Sequence, residues 1–497
     1  MHSSGALKQV LATAICGQTQ FMLGANVALN SALLIQEAGP DGRLSVSQRS
    51  WAISVTFAGA LLGCVLAAAL APPLGARRLL LLLMPLAAAG SVAIYCGDGA
   101  FGWTVAGRLL VNTALGAGDG QARAYVAEVA APAQRAVLST AVGLLLFVGQ
   151  LVGLALASVW RWPLQQLACT CAPAALGALG LLLLPDTAQW LMARGRDEKL
   201  AADALAFYRG QDFDTASEID NIRASVEEAG APLGRTWRAL CRRSALRPLL
   251  LTAGQFFFFV WTGGFFLVVV TALVVGGLPL PLDDYQRAML VPAVALLGTP
   301  PASPLLRRAG RLPLLRASGA FSAVGCATIA AGDLLDAEHA ARGWLALGGA
   351  LVCLLPYSTL LTAITFNYLG ELLPNSVRSL AVSLVMGWFG LLVFVSLQLY
   401  EPLLGAISVG GVFLVHAAIS LLQVLYASTL LPETHGLTLE QIQQRFFDTK
   451  PQTAPVELET ANGDRARVYS GRRRKGTPLA ERRSDSGGCD RLLRYFL

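Results

Sequence analysis

Charge is scarce in this chain. Asp, Glu, Lys and Arg make up 14% of its 497 residues, against 55% apolar residues, whereas a soluble domain carries about 25% charged residues. A chain this long and this poorly charged cannot clothe itself for water, so its excess apolar surface must face lipid. Catalytic signatures are also missing. There is no His-Glu-x-x-His, no Gly-x-Ser-x-Gly and no phosphate loop, and Gly116-x-Gly118-x-Gly120 lies inside an apolar run rather than after a strand. A membrane enzyme is therefore poorly supported. The nine cysteines lack framework spacing, and Cys16, Cys64, Cys326 and Cys353 stand singly in apolar runs, which argues against a disulfide scaffold or a zinc site. Cys169 and Cys171 fall on different faces of one helix and read as packing residues. No Asn-x-Ser/Thr glycan acceptor occurs.

What is present in abundance is span-length apolar sequence. A membrane-crossing helix needs about 20 predominantly apolar residues. Candidates fall near 9–35, 50–72, 79–97, 101–126, 137–160, 165–184, 249–275, 287–306, 313–333, 343–368, 379–401 and 409–430. Met1 to Lys8 lead straight into a run too long for a cleavable signal, so the first span is expected to act as a signal anchor. The pattern predicts an all-α membrane protein with twelve transmembrane helices in two six-helix bundles. Residues 1–184 form the first bundle, 185–248 a charged cytoplasmic linker domain, 249–431 the second bundle and 432–497 a cytoplasmic tail. A cytoplasmic amino terminus puts Arg77, Arg78, Arg135, Arg307, Arg308, Arg311 and Arg378 on one side. Glu37, Asp41, Asp98, Asp283, Asp284, Asp333 and Asp336 fall on the other, satisfying the positive-inside rule. The net charge of +7 thus reports orientation, and nucleic acid is not an expected partner.

The two halves echo each other. Tyr125-x-x-Glu128 after the fourth span, with Arg135 seven residues on, returns after the tenth as Tyr368-x-x-Glu371 with Arg378. Gly75-Ala76-Arg77-Arg78 returns as Gly310-Arg311, and Pro185-Asp186-Thr187 as Pro432-Glu433-Thr434. Two related bundles with a solute site between them near the midplane account for this order. Arg77, Arg78, Glu128, Arg135, Asp186, Arg307, Arg311, Glu371, Arg378 and Glu433 are candidate gating residues, able to bridge the bundles when the inner mouth closes and to separate when it opens. The alternative is that they only set topology and anchor helix ends.

Taken together, these motifs resemble the sugar porter family of the major facilitator superfamily, especially the facilitated trehalose and glucose transporters of insects. Gly107-Arg108, Tyr125-Val-Ala-Glu128 with Arg135, Pro185-Asp-Thr-Ala-Gln-Trp190-Leu191, Tyr208-Arg209-Gly210, Gly370-Glu371-Leu-Leu-Pro374 with Arg378, and Leu431-Pro-Glu-Thr-His-Gly436 carry the likeness over about 9–446. The resemblance implies the major facilitator fold, alternating access, no cofactor and, by default, the plasma membrane. It also implies departures. The span-seven amide pattern is reduced to Gly254-Gln255-Phe-Phe-Phe258-Phe-Val260, and the span-five amide position is Gly143. The span-ten Gly-Pro-x-Pro-Trp is Thr362-Ala363-Ile364-Thr365-Phe366, and Gly387 precedes Trp388. Gln150 and Gln255 are the amides left to hold a solute. Each lost partner leaves sugar hydroxyls unpaired, at about 1–3 kcal/mol apiece.

Other polar residues keep two readings. Asn26 and Asn30 share a face of the first span and either line the pathway or bond a neighbouring helix. Proton-coupled relatives resemble this chain but carry an aspartate about where Asn26 lies, which favours simple facilitated passage. Asp119, deep in a span, is functional by default, yet Arg123 four residues on can neutralise it. Arg108 lies in pathway or packing. Phe366 and Trp388 either stack on a solute ring or pack, Phe256 to Phe259 wrap a whole turn and mostly pack, and His416 is expected to be satisfied by a neighbouring helix. The basic tail, with Arg472-Arg473-Arg474-Lys475, is either solvated or in contact with anionic lipid. The function expected is facilitative transport of a small polar, sugar-like solute, hexose or trehalose. The alternative is a diverged non-sugar carrier or a transporter-like sensor.

Overall fold

The computed structural model describes residues 2–37, 42–195, 198–210, 215–229, 240–269, 281–335, 340–374, 377–435 and 441–442; the basic tail and Asp41 and Asp336 fall outside these. The described elements are helical. Five helices build the first half: α1 (His2–Gln36), α2 (Val46–Cys96), α3 (Phe101–Val129), α4 (Pro132–Ala157) and α5 (Trp162–Leu183). Three short ones follow: α6 (Ala188–Ala193), α7 (Glu198–Arg209) and α8 (Thr215–Ala229). The second half holds α9 (Arg243–Trp261), α10 (Gly264–Val269), α11 (Asp284–Gly298), α12 (Ala302–Arg308), α13 (Arg311–Asp333), α14 (Ala340–Pro356), α15 (Thr362–Glu371) and α16 (Arg378–Thr429).

Two of the expected connections are very short: within α2 spans two and three meet at Gly75, and within α16 spans eleven and twelve meet at Ser408, each a non-helical residue at positive φ. Gly75 has φ +79°, and a Cβ there would come within 2.9 Å of the Trp190 ring, so both the backbone and the neighbour demand glycine. Span ten is also interrupted. After Pro356 the helix widens into a π turn over Tyr357–Leu361, a bulge of the kind that re-aims side chains near functional sites.

By length and composition alone, eight described helical segments can cross a membrane, among them both arms of α16. The 51 residues of α2 are long enough to cross twice. The helices α1, α3 and α11 do not qualify by composition or length, because α1 and α3 carry buried polar residues (Gln20, Asn26, Asn30, Arg108, Asn112) and α11 is short. Those polar groups face other helices rather than lipid, as cost requires. Helices α1 and α4 approach backbone to backbone: a Cβ on Gly24 would strike the Leu146 carbonyl, and one on Gly149 the Phe21 carbonyl. The second half packs around an apolar core containing Phe256, Phe259, Tyr357, Phe413 and Tyr400. A separate small core of Leu191, Ala201, Leu205, Ile219 and Ile222 holds α6, α7 and α8 together. That unit is tied to the first half, with Gln9 Nε2 donating to the Tyr208 carbonyl (2.9 Å) and Tyr125 Oη 2.7 Å from Tyr208 Oη.

Candidate functional site

The halves meet near their outer ends. Gln36 Nε2 donates to Tyr285 Oη (2.9 Å), Gln398 Nε2 to Ser54 Oγ (3.0 Å) and Gln150 Nε2 to the Val268 carbonyl (3.1 Å). Each of these bonds joins one half to the other and sits in the outer half of its helices. Nearer the midplane, Leu61 of the first half lies against Gly387 and Gly390 of the second, 3.6 and 3.7 Å from where their Cβ atoms would stand.

The inner ends are organised differently. In the first half Asp186 pairs with Arg78 at 2.9 Å and with Arg77 at 3.7 Å, and Arg77 also donates to the Leu181 carbonyl. Arg78 lies over the Trp190 ring, 4.9 Å from its centroid, while Glu128, Asp186 and Thr187 line one small cleft. In the second half Arg311 pairs with Glu371 at 2.8 Å, and Thr434 Oγ1 donates to Glu371 at 2.6 Å. Glu433 accepts from the backbone N–H groups of Arg311, Leu312, Thr434 and His435 at 2.9–3.0 Å, capping α13. Burial pushes the Glu433 carboxyl up, but those four N–H groups outweigh it and hold the group below the usual carboxylate range. Each of these ion pairs closes within its own half. Arg135 is exposed, and the side chains of Arg307 and Arg378 lie outside the described residues.

Gln150 and Gln255 are both buried, at 1% and 0% exposure. Gln255 Nε2 donates to Thr365 Oγ1 at 3.0 Å, and the carbonyl oxygens of both glutamines have no partner among the described residues. A buried acceptor without a donor is costly, and Asn26 Oδ1 is in the same position. Asn26 and Asn30 turn instead toward α3. Asn26 Nδ2 donates to Asn112 Oδ1 at 2.6 Å, and Arg108 Nη2 donates to Asn30 Oδ1 and Thr56 Oγ1. All three residues Asn26, Asn30 and Arg108 are fully buried, a helix-bonding arrangement. Phe366 and Trp388 are 42% and 40% exposed. Phe366 packs edge-on to Phe256 and Phe259, and Trp388 Nε1 donates to the Ala253 carbonyl. Asp119 and Arg123 pair at 2.8 Å. His416 sits 2.8 Å from the Trp261 carbonyl, so a neighbouring helix satisfies it.

Several contributors escape a reading by motif: Gln20, Gln36, Ser54, Thr365 and Gln398. Their one signal in the sequence is a polar side chain isolated in an apolar run, and their partners are mostly side chains, with backbone carbonyls at Gln36 and Ser54.

A family model described as sugar (and other) transporter matches residues 4–446. The chain is 26% identical over 437 residues to sugar transporter ERD6-like 7 of Arabidopsis thaliana, covering 86% of this chain and 92% of that one. To solute carrier family 2, facilitated glucose transporter member 6 of Homo sapiens it is 28% identical over 437 residues, covering 82% and 85%. A facilitated trehalose transporter Tret1-2 homolog of Drosophila sechellia is 25% identical, covering 82% and 84%. Among solved structures, the inward-open xylose transporter XylE from E. coli superposes with a TM-score of 0.73 at 17% identity, over 87% of this chain and 98% of that one. That likeness speaks for the fold.

Proposed function

This chain belongs to the family of sugar and other transporters, a multi-pass membrane protein of major facilitator fold rather than an enzyme, and from that premise we propose that it carries a small sugar passively by alternating access. The observation that carries the reading is a pair of buried amides, one bonding across the halves and one within the second half. Gln150 bonds across to Val268, Gln255 bonds Thr365, and each keeps an unpartnered carbonyl oxygen. An entering polyhydroxyl solute supplies the missing donors, and Phe366 and Trp388 supply apolar ring faces for its C–H surface. Passive carriage is supported by Asn26 and Asn30, neutral amides already engaged by Asn112 and Arg108, which leave no proton to exchange at those positions.

The gating role belongs to the same proposal. Inner clusters closed within each half, together with amide bonds across the outer ends, describe a carrier whose cytoplasmic mouth is free to part. A plasma-membrane location, with the basic tail along the anionic inner leaflet, completes it.

Counterflow of radiolabelled glucose and trehalose into proteoliposomes tests the reading, comparing the intact chain with Gln150→Ala and Gln255→Ala. Saturable uptake with KM raised about five- to tenfold by either change is expected, the cost of one hydrogen bond. No uptake of either sugar by folded protein would overturn it and point to a non-sugar carrier or a sensor.

A further inference from the structure

One charged cluster at membrane depth is not absorbed by the amide site. Asp119 on α3 accepts at Oδ1 from Arg123 Nε (2.8 Å) and from Gln20 Nε2 of α1, while Arg123 Nη2 donates to Gln20 Oε1 (3.1 Å). The pair is not sealed: Asp119 is 37% and Arg123 48% exposed. Charges half-exposed to lipid at this depth are prohibitively costly, so the cluster faces water. Its neighbours identify which water. Asp119 touches span one through Gln20 and lies within electrostatic reach of Cys64 on span two. The nearest atom to Gly143 on span five is Arg123 Nη1, 3.9 Å from where a Cβ would be. Spans one, two and five are those that carry the cross-half bonds of Gln36, Ser54 and Gln150. The cluster therefore lies on the face that the first half turns toward the second.

Depth and space agree. Asp119 and Trp388 each stand ten residues in from the cytoplasmic end of their helix, Val129 of α3 and Arg378 of α16, about 15 Å along the axis. The wall is also cut back around the pair. Nothing lies within 4 Å of a Cβ on Gly120, and Arg123 is all that approaches Gly143. A pair serving only to neutralise itself needs no such clearing.

We propose that Gln20, Asp119 and Arg123 form a hydroxyl-binding subsite of the inner pathway, taking two adjacent hydroxyls of a polyhydroxylated solute. The inference rests on the sugar-carrier reading and names the chemistry that recognises the solute. Within the cluster, Asp119 Oδ2 and Arg123 Nη1 have no partner among the described residues. They offer one acceptor and one donor side by side. A vicinal diol matches this: one hydroxyl donates to Asp119 while its neighbour accepts from Arg123. The ion pair cancels its own charge, so an anion or cation gains no net attraction, and neutral polyols are selected. The guanidinium stands beside Gly143, so the donor that an amide there would supply comes from the opposite helix instead.

The test uses the full chain in proteoliposomes, with glucose counterflow competed by each monodeoxyglucose. For the intact chain, one or two of the deoxy sugars should compete about tenfold more weakly than glucose, the loss of a hydrogen bond to a charged group. Asp119→Asn and Arg123→Gln should each raise the glucose KM about tenfold and abolish discrimination against those same deoxy sugars. The exchange Asp119→Arg with Arg123→Asp, which keeps an ion pair, should also lose it; a purely structural pair would retain it. Should the charge variants fail to fold, Gly143→Val fills the space beside Arg123 without altering the pair and should raise KM likewise. Normal KM and intact discrimination in folded variants, with the intact chain transporting glucose, would overturn the subsite alone. Absence of sugar uptake by the intact chain would overturn the carrier reading and the subsite with it.

Discussion

Removing the carboxylate of Glu433 exposes how the inner end of the second half is held. The side chain accepts from the N–H groups of Arg311 and Leu312, the first residues of α13, and from Thr434 and His435 beside it. Loss of a helix cap costs about 1 kcal/mol, and loss of the negative charge at a helix amino terminus about 0.3–1 kcal/mol more. The Thr434 and His435 bonds are local, one and two residues from Glu433, and add less than the cap. Glu433→Ala should therefore destabilise by about 2 kcal/mol. Glu433→Gln keeps an acceptor oxygen but not the charge, and should cost about half as much. For a bundle of this size roughly 2–4 °C accompanies each kcal/mol, which intrinsic fluorescence of detergent-solubilised protein resolves at a fixed scan rate. The sign of the pH dependence follows from the depressed pKa of Glu433. Its stabilisation is present above the unfolded carboxyl value, about 4.3, and disappears as pH falls through the lower folded value. The gap between wild type and Glu433→Gln should be full near neutrality and close below about pH 4. Asp98, held low first by its hydrogen bond from Arg43, titrates in the same direction in both proteins and cancels from the difference. A gap that does not shrink as pH falls below about 4, or equal losses for Ala and Gln, would refute the capping account.

Two further outcomes are expected. Gly75→Val should lower the apparent unfolding temperature by the equivalent of about 2–3 kcal/mol, combining a positive-φ penalty of about 1–2 kcal/mol with contact against Trp190; adding Trp190→Ala should recover the contact but not the backbone share. Cysteines at Ser54 and Gln398, in a background lacking Cys64 and Cys96, should be joined by a short cleavable bifunctional thiol reagent, because these side chains bond across the outer ends. Transport should then fall to background and return on reduction, whereas unaltered transport in fully joined protein would refute the outer contact as a moving part.

Apolar run length marked the crossing segments and their order, because the bilayer imposes it, but it could not mark how short a connection is. Between Leu74 and Leu79 the chain turns on Gly75 alone, and at Ser408 on one residue of positive φ, so the breaks that charge spacing suggests are real but shorter than a loop. The first helix begins at His2, before the apolar run that opens near residue 9, and the polar Gln9 and Thr13 within that run find partners, Gln9 in the Tyr208 carbonyl and the N–H of Ala131. Spacing put Asn26 and Asn30 on one face, yet i, i+4 spacing carries no information about which neighbour that face meets; it meets α3. Gln150 and Gln255 were legible as the remaining amides, but the Val268 carbonyl that receives Gln150 is backbone, and backbone partners leave no trace in composition.

The repeat carries more than topology. Asp186 in the first half and Glu433 in the second each hold the basic loop of their own half, and Thr434 donates to Glu371 where Thr187 stands beside Glu128 in the same cleft. In this conformation the described inner ion pairs therefore close without the other half, and the outer ends are joined through neutral amides. If the inner clusters gate as proposed, closing the mouth exchanges each internal bond for one across the halves. Exposed ion pairs contribute only about 0–1 kcal/mol each, so such an exchange leaves the two states close in energy. That near-balance is what passive carriage requires, since a carrier that strongly preferred one mouth would hold its solute site on one side of the membrane.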